Sequence, residues 1–285
     1  QQNPAVRLSL KHNAVILPGS EGLVLPFEAV GLKAVDVTVV RIYEENVLQY
    51  LQVNNLGGSN EIKRVGRPVA QKVVPLNASG VVDLNEWNRF TLDLAEIMEA
   101  EPGAIYQVSI NFRKSQSLYF CADTDNEIAD DEISLGNWDD PDLPSYWDYY
   151  DYNYDDYNWS QRNNPCSNSY YYNKSVNKVL FASDLGIIAK RSDNGNLHVF
   201  TTNLLTTDPV QSEITVYDFQ QQPIGQASSN VDGVAKIEVT GTPFALVAKN
   251  GDQTGYLKLS DGFRPDHPKR HKRFYLWRKR RLAAW

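Results

Sequence analysis

Residues suited to metal binding or catalysis are scarce in this chain. Its 285 residues include two cysteines, four histidines and one methionine. Neither cysteine belongs to a CxxC pair and two of the histidines fall in the C-terminal tail, so the ligand spacing of a zinc site is missing. His12 and His198 stand alone in strand-rich sequence, where a lone histidine is ordinarily a surface or satisfied residue. There is no P-loop, GxSxG, HExxH or GxGxxG, which removes the main motif-bearing phosphate, acyl-transfer, metalloprotease and dinucleotide chemistries. No apolar run approaches the about 20 residues of a membrane-spanning helix. The chain opens QQNPAV, with neither an initiator Met nor a signal sequence, and reads as a piece of a longer protein. Helical crossover patterns are missing too, which argues against Rossmann and barrel enzymes. The expectation is a protein that is not an enzyme, with no cofactor, no metal and no catalytic residue.

What is present is 42% apolar and aromatic residues, with 16 Tyr, 10 Phe and 6 Trp, enough for real cores in two modest domains. The net charge of −7 conceals an asymmetry. Residues 121–159 hold thirteen acids and no Lys or Arg, whereas residues 263–285 hold nine Lys or Arg and one Asp. The remaining body is nearly neutral, so the acidic stretch and the basic tail each need their own explanation.

Residues 1–120 read as a β-rich domain. Short runs with period-two alternation recur between Pro, Gly and Asn punctuation: Val6–Leu10, Gly22–Val30, Val35–Tyr43, Pro68–Leu76 and Arg89–Leu94. In a further run, Tyr106, Val108, Ile110 and Phe112 share one face while Gln107, Ser109, Asn111 and Arg113 share the other, the pattern of a half-buried antiparallel strand. Six or seven strands fit a two-sheet sandwich. Two short helical pieces are expected as connections, Glu44–Val53 with Val47, Leu48 and Leu51 on one face, and a turn from Asp93, where Asp93 and Glu96 fit a capping box. Residues 179–262 repeat the style, with turn dipeptides Asp208-Pro209, Asp232-Gly233 and Asn250-Gly251 between alternating runs such as Ala235, Ile237 and Val239. The fold class expected is all-β, two antiparallel β-sandwiches in tandem.

Between them lies the acidic stretch, followed by twelve Trp or Tyr among the thirty-five positions of 138–172. That density of charge resists burial, yet so many rings favour packing, so the aromatic part is expected to lie over one or both sandwiches. Trp147, Tyr149, Tyr150, Tyr152, Tyr154, Tyr157 and Trp159 alternate roughly with acids. Such a strip suits contact with a partner or glycan, because rings give contact area at low entropic cost. Its plainer use, cementing the sandwiches, fits better. Asp123, Asp125, Asn126 and Glu127 offer oxygen ligands but lack the EF-hand glycine and terminal Glu spacing, so a solvated charge run is the better reading. Cys121 and Cys166 bracket the insert. In an oxidising compartment they would close it as a loop, with a chain-entropy gain of about 4 kcal/mol. Two free buried thiols in a cytosolic protein are the alternative. Asn77, Asn158 and Asn173 open N-glycosylation patterns, of little weight if the source is bacterial.

The segments LVLPFEAVGLKAVDVTVVRIYEENVLQYLQVNN, WNRFTLDLAEIMEAEPGAIYQVSINFRKSQSLYFC, WSQRNNPCSNSYY and ASDLGIIAKRSDNGNLHVFTTNLLTTDPV, with the later PFALVAKNGDQTGYLKLSDG, cover about residues 14–262 in order. They resemble the bacterial alpha-2-macroglobulin family in its Bacteroidetes form, including the acidic, Tyr-rich insert between the same two cysteines. The resemblance implies macroglobulin-like domains, each a seven-stranded Ig-like Greek-key sandwich, within a larger protein that traps proteases outside the cytoplasm. Periplasmic, cell-envelope or extracellular placement follows, as do partners that are proteases and neighbouring macroglobulin domains. The family's thioester needs Cys-x-Glu-Gln, whereas here Cys121 is followed by Ala-Asp-Thr and Cys166 by Ser-Asn-Ser. The expectation is therefore a non-catalytic scaffold segment without bait region or thioester. The alternative is an extracellular adhesin or glycan-binding module using the aromatic strip.

After residue 262 the resemblance stops. Lys and Arg interleaved with aromatics in 263–285 would suit nucleic-acid or anionic-membrane binding. Read one base later, however, residues 268–285 permit QKGIKGFIYGEKGVWRPG, which resembles the opening of the next macroglobulin domain. Trp277 and Trp285 must then both become Gly, and the other positions are allowed rather than forced. On that reading the tail is a frameshift product and no nucleic-acid partner is expected. The domain layout expected is thus 1–120, an insert over 121–178, a second sandwich over 179–262 and the tail.

Overall fold

The computed structural model describes residues 2–9, 14–17, 24–77, 80, 83–101, 103–122, 138, 157–172, 174–192 and 195–259, with backbone alone at 14–17 and 182. Its contacts divide the chain into two units, Gln1–Ala182 and Ser183–Trp285. Among the described residues each unit is built almost entirely of strands.

The first unit contains β1 (Ala5–Leu8), β2 (Ala14–Leu17), β3 (Val24–Val30), β4 (Ala34–Ile42), α1 (Val47–Val53), β5 (Gly66–Pro75), β6 (Asn88–Asp93), β7 (Ile105–Asn111) and β8 (Val176–Ala182). A three-stranded sheet runs β1-β3-β6 and a five-stranded sheet runs β2-β8-β7-β4-β5. The β2–β8 pair is parallel, and the other pairs of this unit are antiparallel. Alternation builds the core. Leu25, Phe27 and Ala29 of β3 and Phe90 and Leu92 of β6 meet Val35, Val37 and Val39 of β4 and Tyr106, Val108 and Ile110 of β7 in one buried cluster. The Phe27 and Phe90 rings stack at 5.5 Å between centroids.

β7 departs from the half-buried pattern. Its supposed polar face is covered as well, with Gln107 at 6% exposure beside Ile105 at 0%. The reason lies in its neighbours. β7 is the middle strand of five, and on the same outer face β4 contributes Val40 and Ile42 and β8 contributes Val179 and Phe181, all buried. Asp36 of β4 is fully buried on that face. It accepts from Arg113 Nε at 2.7 Å and from Gln116 Nε2 at 2.6 Å, so Arg113 is turned onto the sheet rather than into solvent.

Two local expectations also change. In α1 the buried residues are Val47, Tyr50 and Leu51, with Leu48 half-buried, because the i, i+3, i+4 stripe runs through the tyrosine. The turn Leu94–Glu96 is capped by Asp93 alone, which accepts from Ala95 N; this is a single cap in place of the reciprocal box.

β8 moves the boundary between the units. Ile105 to Ile110 pair with Phe181 to Val176 in antiparallel register, so the strand after the insert is a central strand of the first sandwich. The insert therefore sits inside the connection between two adjacent strands of one domain, and the second unit starts at Ser183 rather than at residue 179.

The second unit comprises β9 (Leu185–Arg191), β10 (Leu197–Asn203), β11 (Glu213–Tyr217), β12 (Pro223–Ser228), β13 (Val234–Ile237), β14 (Ala245–Asn250) and β15 (Gln253–Lys258). These seven strands form sheets β13-β10-β9 and β12-β11-β14-β15. Leu197 and Val199 from one sheet and Ile214, Val216, Leu246 and Ala248 from the other share a buried core with Ala235 and Ile237. Of the three turn dipeptides, Asn250-Gly251 closes a hairpin, β14–β15, and Gly251 takes φ 54°. Asp208-Pro209 and Asp232-Gly233 instead carry the chain from one sheet to the other, as in a Greek-key sandwich. Asn230 Oδ1 supports the second of these corners by accepting from Asp232 N at 3.1 Å and Val234 N at 2.8 Å.

Candidate interaction site

Cys121 and Cys166 form a disulfide, with their Cα atoms 5.7 Å apart and a sequence separation of 45. The bond joins the two ends of the insert within the first unit. A loop of that length gains about 4 kcal/mol on the chain-entropy model. The free-thiol alternative therefore does not describe this structure.

Residues 157–172 return the chain from the insert to β8 through short 3-10 turns at Trp159–Gln161 and Asn168–Tyr170. Asn158 caps the first turn, its Oδ1 accepting from Ser160 N at 3.0 Å, and its own N–H donates to Ser169 Oγ at 2.8 Å. Tyr157 meets Tyr172 at 5.2 Å and Trp159 at 6.1 Å between centroids. The Arg162 guanidinium lies 4.7 Å over the Trp159 ring while Nη1 donates to the Trp159 carbonyl at 2.9 Å. Trp159 nevertheless remains 66% exposed, and Phe120, next to Cys121, is 76% exposed.

A second layer of rings, which sequence reasoning did not assign to a site, holds this platform to the sandwich. Tyr170 is buried and its Oη donates to Pro4 O at 2.7 Å, while Tyr171 Oη donates to Pro165 O at 2.7 Å and its ring meets Phe112 edge-on at 5.8 Å. Burial pushes both phenols above their ordinary range. The run Tyr170-Tyr171-Tyr172 was visible in the sequence, but period alone does not tell an anchoring ring from an exposed one. The pattern does that only once the Tyr170 and Tyr171 contacts are known.

Of the aromatic strip, Tyr157 and Trp159 are brought together here. Trp147, Tyr149, Tyr150, Tyr152 and Tyr154 lie outside the described residues, as do Asp123, Asp125, Asn126, Glu127, His12 and the tail. Trp138 is described, and Lys63 Nζ stands 5.6 Å over its ring. Among the described residues no three His, Cys, Asp or Glu side chains cluster as metal ligands. A hollow of about 190 Å³ beside α1 is lined by Tyr50, Asn60, Glu61 and Arg64 among others, where Arg64 pairs with Glu61 at 3.3 Å. No described helix is long and apolar enough to cross a membrane. Among the described residues the site offers ring surface and a guanidinium for contact.

Residues 182–267 match the model of the bacterial alpha-2-macroglobulin MG3 domain. No curated protein matches the chain in sequence. Among solved structures, trypsin-activated alpha-2-macroglobulin from Escherichia coli superposes with a TM-score of 0.55 at 18% identity, over 90% of this chain and 14% of that one. Native alpha-2-macroglobulin from Escherichia coli spanning domains NIE-MG1 gives 0.51 at 19% identity, covering 90% of this chain and 97% of that one. The fragment spanning MG0-NIE-MG1 gives 0.52 at 19%, covering 91% and 65%. At these identities the likeness is one of fold, and it agrees with the two sandwich units. Over its second unit, the chain is thus similar in sequence to the bacterial alpha-2-macroglobulin MG3 domain.

Proposed function

We propose that this chain is a non-catalytic scaffold segment of a protease trap of the bacterial alpha-2-macroglobulin type, carrying neither bait region nor thioester. The observation that carries the reading is the MG3 match over residues 182–267, on a seven-stranded sandwich of its own. The chemistry of the cysteines supports the second half of the proposal. Both sulfurs are committed to one disulfide, and neither cysteine begins a Cys-x-Glu-Gln, so no thiol here is free to condense with a glutamine. The acidic, Tyr-rich insert supports the Bacteroidetes form of the family, and the disulfide supports a place outside the cytoplasm, in the periplasm or at the cell envelope. Proteases and neighbouring macroglobulin domains are the partners this reading implies for the longer protein. The adhesin alternative has less support, since Tyr157 packs on Tyr172, Arg162 lies over Trp159, and Asn158 between the two rings donates to Ser169.

The frameshift reading of the tail stands as part of the proposal. The family match ends at residue 267, five residues into the segment read as tail, and the back-translated reading covers residues 268–285. Sequencing the DNA downstream of Thr254 should then yield the next macroglobulin domain and a Cys-x-Glu-Gln in another frame. A natural stop after Trp285 in an intact frame would count against it. The functional test uses the chain as it is. In molar excess it should leave a protease's digestion of casein unchanged, and methylamine should release no thiol from it. Stoichiometric inhibition, or a thiol appearing on methylamine treatment, would sink the scaffold reading.

A further inference from the structure

The outer face of the β13-β10-β9 sheet does not follow the usual polar-out rule for antiparallel sheets. Leu197, Val199 and Thr201 of β10 point into the core, which sends His198, Phe200 and Thr202 outward. Register then sets the outward residues in rows. Phe200 lies opposite Val234 on one side and Ile188 on the other, and His198 lies opposite Lys236 and Lys190. Phe200 is 37% exposed and Ile188 44%. On the side of this row away from His198, the next row holds Thr202 and Gly186. A side chain at Gly186 would meet Leu204 Cδ2 at 2.8 Å, so Leu204, itself 37% exposed, occupies the space over that glycine.

The second unit therefore presents an apolar row of Val234, Phe200 and Ile188, widened on one side by Leu204, and on the other side a row of two lysines and a histidine. Neighbouring cross-strand side chains stand about 5 Å apart and successive rows about 7 Å apart, so one partner segment can touch both rows at once. The charge row decides the chemistry. Lys190 and Lys236 are both exposed and lie at opposite edges of the sheet. A carboxylate on the partner gains from them while its apolar or aromatic side chains cover Phe200 and Ile188. A basic or purely apolar segment would use one row at the expense of the other.

We propose that this face is a docking surface for an acidic polypeptide segment bearing aromatic side chains. The probe is a fluorescently labelled random copolymer of glutamate and tyrosine, added to the full chain and followed by anisotropy at several salt concentrations. Binding should weaken as salt rises. Phe200→Ser with Ile188→Ser should weaken it at least tenfold, and Lys190→Glu with Lys236→Glu should weaken it at least tenfold and flatten the salt dependence. All four positions are exposed, and a thermal melt checks that each variant keeps its fold.

Four results would overturn the proposal. One is the absence of binding by the wild-type chain. A second is binding retained by the Lys190→Glu, Lys236→Glu variant, which would assign the copolymer to the basic tail. Polyglutamate binding as tightly as the copolymer, with no loss in Phe200→Ser, would remove the apolar row from the account. Finally, salt-sensitive self-association abolished by the same substitutions, without copolymer binding, would make a second copy of the chain the occupant.

Discussion

Replacing Lys178 by Met should stabilise the first unit. Lys178 lies on β8 opposite Val108 of β7, and its strand neighbours Val176 and Leu180 both belong to the apolar interior, so alternation aims the lysine inward. The residue is 1% exposed and its Nζ has no hydrogen-bond partner among the described residues. A buried polar group left unsatisfied costs about 1–3 kcal/mol, and more when charged. Met keeps the length and flexibility of the stem while removing that group. At about 2–4 °C per kcal/mol for a unit of this size, the melting transition of the first unit should rise by several degrees. The sign with pH follows from the same burial, which lowers the lysine pKa below its ordinary 10.5. Between the folded and unfolded values the unfolded chain binds more protons, so wild-type stability gains as pH rises through that window. The advantage of Lys178→Met should accordingly be full at neutral pH and shrink as pH approaches the unfolded value. Differential scanning calorimetry of both proteins across that range measures it. A Lys178→Met variant that melts lower, or a gap that does not change with pH, would refute the assignment of Lys178 as an unpaired buried amine.

Two glycines within strands of the second sandwich, Gly225 of β12 and Gly255 of β15, should respond differently to the same added methyl. A Cβ at Gly225 would sit 2.6 Å from the backbone carbonyl of Glu238, whereas at Gly255 it would meet the end of the Ile187 side chain at 2.7 Å. Gly225→Ala should therefore cost about 1–3 kcal/mol and Gly255→Ala distinctly less, since a side-chain tip can move aside; equal urea midpoints would contradict this. Cys121→Ser with Cys166→Ser should lower stability by up to about 4 kcal/mol in the first unit alone, seen as one calorimetric transition shifting while the other stays. Asp36→Ala leaves the Arg113 and Gln116 donors facing a fully buried gap and should cost about 2–3 kcal/mol. Asp36→Asn with Arg113→Met, which removes both charges, should cost less than Asp36→Ala does, as compared by urea midpoints.

The alternating runs were legible because strands carry their partners' requirements locally. Val35, Val37 and Val39, or Ala235 and Ile237, repeat every second residue wherever a sheet has one apolar face. β7 was legible as a strand, but its burial on both sides was not, since Gln107 and Ser109 read as solvent-facing until the flanking β4 and β8 are known. The helix face was misread at Leu48 because Tyr50, half polar by composition, satisfies its Oη with the Gly58 carbonyl at 2.9 Å and can be buried whole. At the candidate site the disulfide was foreshadowed by two cysteines bracketing one segment. The anchoring roles of Tyr170 and Tyr171 were not, because their partners Pro4 and Phe112 come from distant parts of the chain.

The boundary between the units was hidden for a related reason, and it bears on how the first sandwich forms. A break in composition invites a domain boundary, and the acidic insert is the sharpest such break in the sequence. Yet the strand after it, β8, pairs with β7 before it and also with β2, so the insert interrupts a domain rather than separating two. Closing so long a connection costs loop entropy, and the cost must be met before the pairing of Ile105 with Phe181 returns any hydrogen bond. The disulfide between Cys121 and Cys166 shortens the effective connection. What remains to be closed in the unfolded chain is then the few residues on either side, 112–120 and 167–175, and in the folded unit Phe112, Tyr170 and Tyr171 fasten these flanks. β8 should therefore be the element of the first sandwich whose amide protection falls most on reduction. Native-state hydrogen exchange with and without reductant would show this as faster exchange at 176–182, with 105–111 following. If reduction left β8 as protected as β4, the sandwich would be holding the insert closed without help from the bond.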